Sequence, residues 1–193
     1  MTRHVVLASA SPRRRELLEN IGLKFSVDPA EIAEIQAGRF KPAGLAKALS
    51  LRKAQAVASR HAGSIIIAAD TLGVLDGVTL GKPADDRHAR SMLAALSGRC
   101  HSVITGFTVI DTATDRAVTR AVETKVYFRK LDRLEIAGYV KTGEPLDKAG
   151  AYAIQGLGAM LVERIEGDYY NVIGLPLCAL AGVLRKFDIT LPA

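Results

Sequence analysis

Val5-Val6-Leu7-Ala8-Ser9-Ala10-Ser11-Pro12-Arg13-Arg14-Arg15-Glu16-Leu17-Leu18 reads as a strand that passes through a turn of small residues into a helix. Val5 to Leu7 are strand-like, Ser11 is a good N-cap, and Pro12 fits the first helical position, where no N–H is needed. Leu17, Leu18 and Ile21 form one apolar helical face, and Gly22 stops the helix. The three arginines of the first turn oppose the helix macrodipole, which favours acidic residues at that end. The stretch admits two readings. Free N–H groups, two serine hydroxyls and guanidiniums make an anion cradle, although no P-loop glycine pattern is present. Alternatively the arginines form a solvated basic face, and helical spacing cannot aim all three one way.

The rest of the chain extends this strand–helix opening into an α/β pattern. Phe25 to Val27 suit a short strand, and a helix is predicted from about Pro42 to His61 by Leu45, Ala48, Leu49, Ala54, Val57 and Ala58. Lys53 shares the face of Leu49 and Val57, where a lysine either snorkels to the edge or meets an anion. Ser64-Ile65-Ile66-Ile67-Ala68-Ala69-Asp70 is an apolar strand of the kind buried on both faces, and it places Asp70 at its C-terminal end, where open α/β sheets hold ligands. A hairpin through Asp76-Gly77 follows, so Asp70 has no helix to cap. Gly81-Lys82-Pro83 closes that hairpin and presents a lysine before a helix capped by Asp85 or Asp86.

His101–Ile110 and Ala117–Phe128 suit an antiparallel pair, and Asp132-Arg133-Leu134-Glu135 is a capping box for a helix ended by Gly143. Glu144 to Gly158 has neither period and carries Asp147, Lys148 and Gln155, an acceptor, a cation and an amide able to read a base edge. Long irregular segments within a domain are usually functional. A strand from Ala159 to Ile165, a turn over 166–171 and a helix begun by Pro176 complete the chain.

With 193 residues, 49% hydrophobic, the chain is expected to fold as a single domain over 1–193. No apolar run reaches membrane-span length and no signal-peptide core is visible, so a cytoplasmic location is expected. Cys100 and Cys178 match no metal or redox spacing and are expected to be buried or half-buried thiols. The four histidines show no metal spacing and are expected on strands or the surface. The net charge of +6 attracts phosphates, but aromatics are 5%, Trp is absent, and no basic block alternates with aromatics, which disfavours nucleic acid as partner. Many cations with a few carboxylates suit polyphosphate chemistry, which needs the phosphate oxygens neutralised, a divalent metal and a base.

Ser9-Ala10-Ser11-Pro12-Arg13-Arg14-Arg15-Glu16-Leu17-Leu18, Ala69-Asp70-Thr71 with Gly81-Lys82-Pro83, Leu96-Ser97-Gly98, Asp147-Lys148-Ala149-Gly150-Ala151-Tyr152-Ala153-Ile154-Gln155-Gly156 and Asn171-Val172-Ile173-Gly174-Leu175-Pro176-Leu177 resemble, in order, the motifs of the Maf family. The resemblance covers nearly the whole chain. It implies a nucleoside triphosphate pyrophosphatase that releases a monophosphate and pyrophosphate with a divalent cation, Mg²⁺ or Mn²⁺. It also implies a mixed twisted sheet with flanking helices, in two lobes around a central cleft as in inosine triphosphate pyrophosphatases, and often a homodimer.

Residue by residue, the resemblance makes Asp70 the proton acceptor, with Lys53 and Lys82 completing the catalytic group. Ser11 and Arg14 would hold phosphate, and Glu34 would join Asp70 at the metal. Arg13, Thr71 and Gln155 mark the branch that acts on dTTP and UTP, where the 7-methyl-GTP branch would show Trp, Gln and Glu. An amide can pair with the donor and acceptor edge of uracil or thymine, whereas a carboxylate would repel its carbonyls. Family members have also been linked to inhibition of septum formation, which leaves a regulatory role as the third alternative.

Overall fold

The computed structural model of the protein describes residues 3–32 and 40–191. In chain order the elements are β1 (Val5–Leu7), α1 (Pro12–Asn20), β2 (Ser26–Val27), α2 (Pro42–Ala58), β3 (Ile65–Leu75), β4 (Val78–Leu80), α3 (Asp86–Leu96), β5 (Cys100–Asp111), β6 (Arg116–Phe128), α4 (Arg133–Lys141), β7 (Val162–Glu166), α5 (Tyr169–Ile173) and α6 (Leu177–Leu184). Seven strands form one mixed sheet in the order β2-β1-β3-β5-β6-β7, with β4 beside β3. β1 runs parallel to β2 and β3, and the other pairings are antiparallel. The fold is therefore α/β with a mixed sheet and flanking helices, as the family resemblance implies.

β3 organises the sheet, and its pairing is uneven. On one side β5 pairs with it from Ile65 to Val74. On the other, β1 covers Ile65 to Ile67 and β4 covers only Gly73 to Leu75, so Ala68 to Leu72 face no strand there. Such an interruption is tolerable in a buried strand only where something else reaches its edge. The turn after β1 lies across a cavity from it, and Ala8 adds one bond at the β1 end, its N–H donating to the Ile67 carbonyl at 2.8 Å.

Alternation along β3 divides the core. Ile65, Ile67 and Ala69 pack with α1, α3, α4 and α6 through Leu18, Leu93, Val140 and Leu180, while Ile66 and Ala68 pack with Ala54 and Val57 of α2. Asp70 falls on the α2 face and Thr71 on the opposite one. Gly106, paired with Asp70 across the sheet, sits under α2 so closely that a Cβ there would lie 2.2 Å from the carbonyl carbon and oxygen of Ala46. Lys53 is two turns further along that helix, so this glycine sets how near Lys53 comes to Asp70.

Several local expectations shift. Asp70 lies in the middle of an eleven-residue strand rather than at a strand end, because β5 carries the pairing straight on into the hairpin. Positive φ at Asp76 and Gly77 (51° and 80°) gives that hairpin its turn. The last strand starts at Val162, not Ala159, since Gly156–Leu161 is a 3₁₀ stretch. The expected turn over 166–171 includes the one-turn helix α5, whose Tyr170 and Asn171 N–H groups are capped by Asp168. Both cysteines are exposed rather than buried. Among the described residues, no helix is long and apolar enough to cross a membrane.

Candidate active site

The unpartnered edge of β3 opens into a cavity of about 500 Å³. Its walls include the Ala8–Arg14 turn and helix start, Lys53, Thr71, Lys82, and the Asp147–Gly150 and Tyr152–Ile154 stretches. Because the edge is open, side chains from both faces of the sheet reach one space. Lys53 arrives from the α2 side and Arg14 and Thr71 from the other.

On the α2 side the Lys53 ammonium is ion-paired with Asp70 Oδ1, and both side chains are largely buried, at 23% and 15% exposure. Of the two readings of Lys53, snorkelling gives way to an anion partner. A half-buried ion pair gains in coulombic strength but must offset desolvation, so it is weak evidence of a purely stabilising role. Asp70 Oδ2 has no hydrogen-bond partner among the described residues.

On the opposite face Arg14 is tied to three groups. Its Nε donates to the Gly174 carbonyl at 2.8 Å, Nη1 to Ser9 Oγ at 3.1 Å and Nη2 to Thr71 Oγ1 at 3.0 Å. Burial pushes this guanidinium down to about 10, with the Asp70 charge opposing the shift, so it remains cationic at neutral pH. The Thr71 hydroxyl belongs to a directed chain. Thr105 Oγ1 donates to the Asn171 carbonyl at 2.9 Å, which leaves Thr71 to donate to Thr105 at 2.9 Å while it accepts from Arg14. Asn171 is fully buried and anchors the chain, its amide donating to the Val103 carbonyl and Thr124 Oγ1 and its oxygen accepting from Thr105 N–H.

The helix start behaves as its sequence suggests. Ser11 Oγ accepts from Arg14 N–H at 3.5 Å, and Arg15 points away as an exposed cation paired with Glu19. Arg13 lines the cavity, and its charge helps hold the Asp147 carboxyl below its usual range, after the larger effect of the Lys148 ammonium bonded to it. Lys82 stands exposed at the rim. The loop behind it is tied to the irregular segment by Gly150 N–H donating to the Gly81 carbonyl at 3.0 Å.

Of the residues picked out from sequence, Ser11, Arg13, Arg14, Lys53, Thr71 and Lys82 all line this one cavity, and Asp70 joins it through Lys53. Gln155 is not among the lining residues; it is half-buried and directly follows Ile154, which is. Glu34 lies outside the described residues.

Sequence reasoning missed four contributors. Gly106, Thr105 and Asn171 support the site from behind, and His101 forms part of its wall. A glycine inside a β-branched run was the available signal for Gly106. His101 is a buried strand residue, its Nε2 2.8 Å from the Tyr152 hydroxyl, and its ring packs edge-on against Phe128 and Tyr152. Burial pushes its imidazole down to about 4, so it is neutral at pH 7.

The chain is similar to known proteins along nearly its whole length. The chain is 47% identical to the dTTP/UTP pyrophosphatase of Clostridioides difficile (strain 630), over 95% of each chain. It is 50% identical to that of Syntrophotalea carbinolica (94% of this chain, 84% of the relative) and 47% identical to that of Dictyoglomus turgidum (99% and 100%). A solved dITP/XTP pyrophosphatase from Mycobacterium abscessus aligns over 66% of this chain and 75% of its own, at 16% identity and a TM-score of 0.43, a likeness too slight to inform the site. The family model described as Maf-like protein matches residues 4–187, which takes in every element from β1 to α6, and the chain belongs to that family.

Proposed function

We propose that the protein is a nucleoside triphosphate pyrophosphatase that hydrolyses dTTP and UTP to the monophosphate and pyrophosphate. The observation that carries this reading is the open edge of β3, where one carboxylate, Asp70, meets Lys53, with Arg14 and Lys82 around the same cavity. The relatives named dTTP/UTP pyrophosphatase support the choice of substrate.

Phosphoanhydride hydrolysis demands neutralisation of the triphosphate oxygens more than covalent chemistry from the protein. Lys53, Lys82 and the unspent N–H groups of Arg14 supply that charge, with the Ser11 hydroxyl as a further partner. The anionic substrate draws the Lys53 ammonium onto phosphate, and this leaves the Asp70 carboxylate free to accept a proton from water. The water oxygen forms a bond to the α-phosphorus, the bond from that phosphorus to the bridging oxygen breaks, and pyrophosphate leaves.

Mg²⁺ is characteristically held by one or two carboxylates together with substrate phosphates and waters. Asp70, with an oxygen that makes no hydrogen bond to the described residues, fits as one such ligand, and Glu34 is the second in this reading. The cation would supply Lewis-acid neutralisation of the phosphate oxygens. Arg13 and Gln155 select the base, the amide of Gln155 matching both a carbonyl acceptor and the N–H donor of uracil or thymine. Thr71 contributes through Arg14, which its hydroxyl orients.

Purified protein tested with dTTP, UTP, CTP and 7-methyl-GTP in Mg²⁺ or Mn²⁺ should release pyrophosphate fastest from dTTP and UTP. A preference for 7-methyl-GTP would overturn the roles of Arg13, Thr71 and Gln155. Turnover of no triphosphate would overturn the enzymatic reading and favour a binding or regulatory role.

A further inference from the structure

The irregular segment that carries Gln155 is closed around a single carboxylate. Glu144 follows the end of α4, and its two oxygens accept from the two backbone N–H groups just beyond Gln155 and Gly156. Leu157 N–H reaches Oε2 at 3.1 Å and Gly158 N–H reaches Oε1 at 2.9 Å. Tyr139, from α4, donates its hydroxyl to Oε1 at 2.8 Å. The same hydroxyl oxygen accepts from Ala153 N–H at 3.3 Å, so the six-residue stretch from Ala153 to Gly158 is fastened at both ends to one Tyr–Glu pair.

The fit leaves no slack. A Cβ at Gly156, where φ is 74°, would lie 2.8 Å from Glu144 Oε2, and one at Gly158 would lie 2.2 Å from the Ala153 carbonyl oxygen and 2.6 Å from the Tyr139 hydroxyl. Glycine is required at both positions for the backbone to wrap this closely. Burial pushes the Glu144 carboxyl up, but the Gly158 N–H, the Tyr139 hydroxyl and the Leu157 N–H outweigh it, and the group stays below its ordinary range. Burial and the neighbouring carboxylate push the Tyr139 phenol up, so it remains a donor. Only an acceptor-only side chain satisfies three converging donors.

Ala153 and Ile154 line the cavity and Gln155 comes next. We propose that Glu144, supported by Tyr139, is the positioning residue for the base-reading segment and so sets discrimination between uracil-type and cytosine-type nucleotides. This rests on the reading of Gln155 as the group that meets the base. Glu144 itself lies outside the set of residues lining the cavity, so it acts through the backbone of 153–158 and not by contact with the nucleotide.

Glu144→Gln is nearly isosteric but cannot satisfy the arrangement. Whichever oxygen becomes the amide NH₂, it faces the N–H of either Leu157 or Gly158. The test measures kcat/KM for UTP and for CTP in the wild type, Glu144→Gln, Tyr139→Phe and Gln155→Ala, with the melting temperature of each. The expected result is a UTP-to-CTP ratio that falls about tenfold in Glu144→Gln and in the same direction in Tyr139→Phe, with kcat/KM for CTP nearly unchanged. A purely structural role would lower both substrates together and leave the ratio intact, which would overturn the proposal. Should Glu144→Gln fail to fold, the Tyr139→Phe ratio decides, since that variant removes the acceptor of Ala153 N–H and one donor to Glu144. A wild type without a UTP preference, or a ratio unmoved by Gln155→Ala, would remove the reading beneath the proposal, and the proposal with it. That failure is distinct from one in which Gln155→Ala lowers the ratio and the Glu144 and Tyr139 variants do not.

Discussion

Replacing Thr71 with Val tests the directed hydrogen-bond chain behind the cavity. The substitution keeps the branched shape and deletes one oxygen, which at present accepts from Arg14 Nη2 at 3.0 Å and donates to Thr105. The Thr105 oxygen keeps its own acceptor, the Asn171 carbonyl, so the main cost is a half-buried guanidinium N–H left without a protein partner. A hydrogen bond to a charged group contributes roughly 1.5–3 kcal/mol, so Thr71→Val should lose about 2 kcal/mol of stability. With a urea m-value of about 2 kcal/mol/M, that is a midpoint about 1 M lower. A guanidinium freed from one of its three anchors also holds phosphate less well, and kcat/KM for UTP should fall about tenfold.

The mechanism is checked by a double-mutant cycle. In an Arg14→Met background the same Thr71→Val change should cost less than about 0.5 kcal/mol, because the N–H it would orphan is already gone. Thr71→Ser, which keeps the hydroxyl, should stay near the wild type in both urea midpoint and kcat/KM. Additive losses in the cycle, or an unchanged midpoint and kcat/KM in Thr71→Val, would refute the claim that this hydroxyl holds Arg14.

Two further outcomes follow from packing and burial. Gly106→Ala should destabilise the protein by about 3 kcal/mol and lower activity further by drawing Lys53 away from Asp70, because its Cβ would meet the backbone of Ala46; Gly138→Ala in α4, which meets nothing within 4 Å, should stabilise by about 0.5–1 kcal/mol. Equal urea midpoints for the two variants would contradict the close approach of α2. His101 is held neutral at about 4 against an ordinary value near 6.5, so its contribution is intact above pH 6.5 and lost as pH falls towards 4, at a cost of about 3 kcal/mol. The wild-type urea midpoint should therefore drop more between pH 7.5 and pH 4.5 than that of His101→Gln, and parallel curves would refute the buried neutral imidazole.

Elements with strong local signals are visible in the sequence. The Ser11 cap, the Asp132–Glu135 capping box, the Asp76-Gly77 turn and the apolar start of β3 each rest on chemistry within a few residues. Features set by contacts distant in sequence are not. The hairpin read after Asp70 marks Thr71 to Leu75 as extended, but that they form one strand with Ile65 to Asp70 is decided by the continuous pairing with β5. Local pattern leaves Arg14 as one of three equivalent arginines and only the resemblance sets it apart; its anchors, Gly174 and Thr71, lie 160 and 57 residues away. The irregular 144–158 segment shows its polar side chains in the sequence but not its shape, since its order comes from Glu144 and Tyr139 rather than from a repeating backbone pattern. Lys53 shows the middle case: helical spacing places it on the inner face, and only the fold supplies its partner.

In the proposed function, the Asp70–Lys53 pair at the open edge of β3 drives cleavage between the α- and β-phosphates of a pyrimidine triphosphate. Phosphorus NMR of UTP turned over with Mg²⁺ by the wild type and by Asp70→Asn tests it most directly. The expected products of the wild type are UMP and pyrophosphate, and the expected rate in Asp70→Asn is at least about 100-fold lower. UDP and inorganic phosphate as products, or full activity in Asp70→Asn, would contradict it.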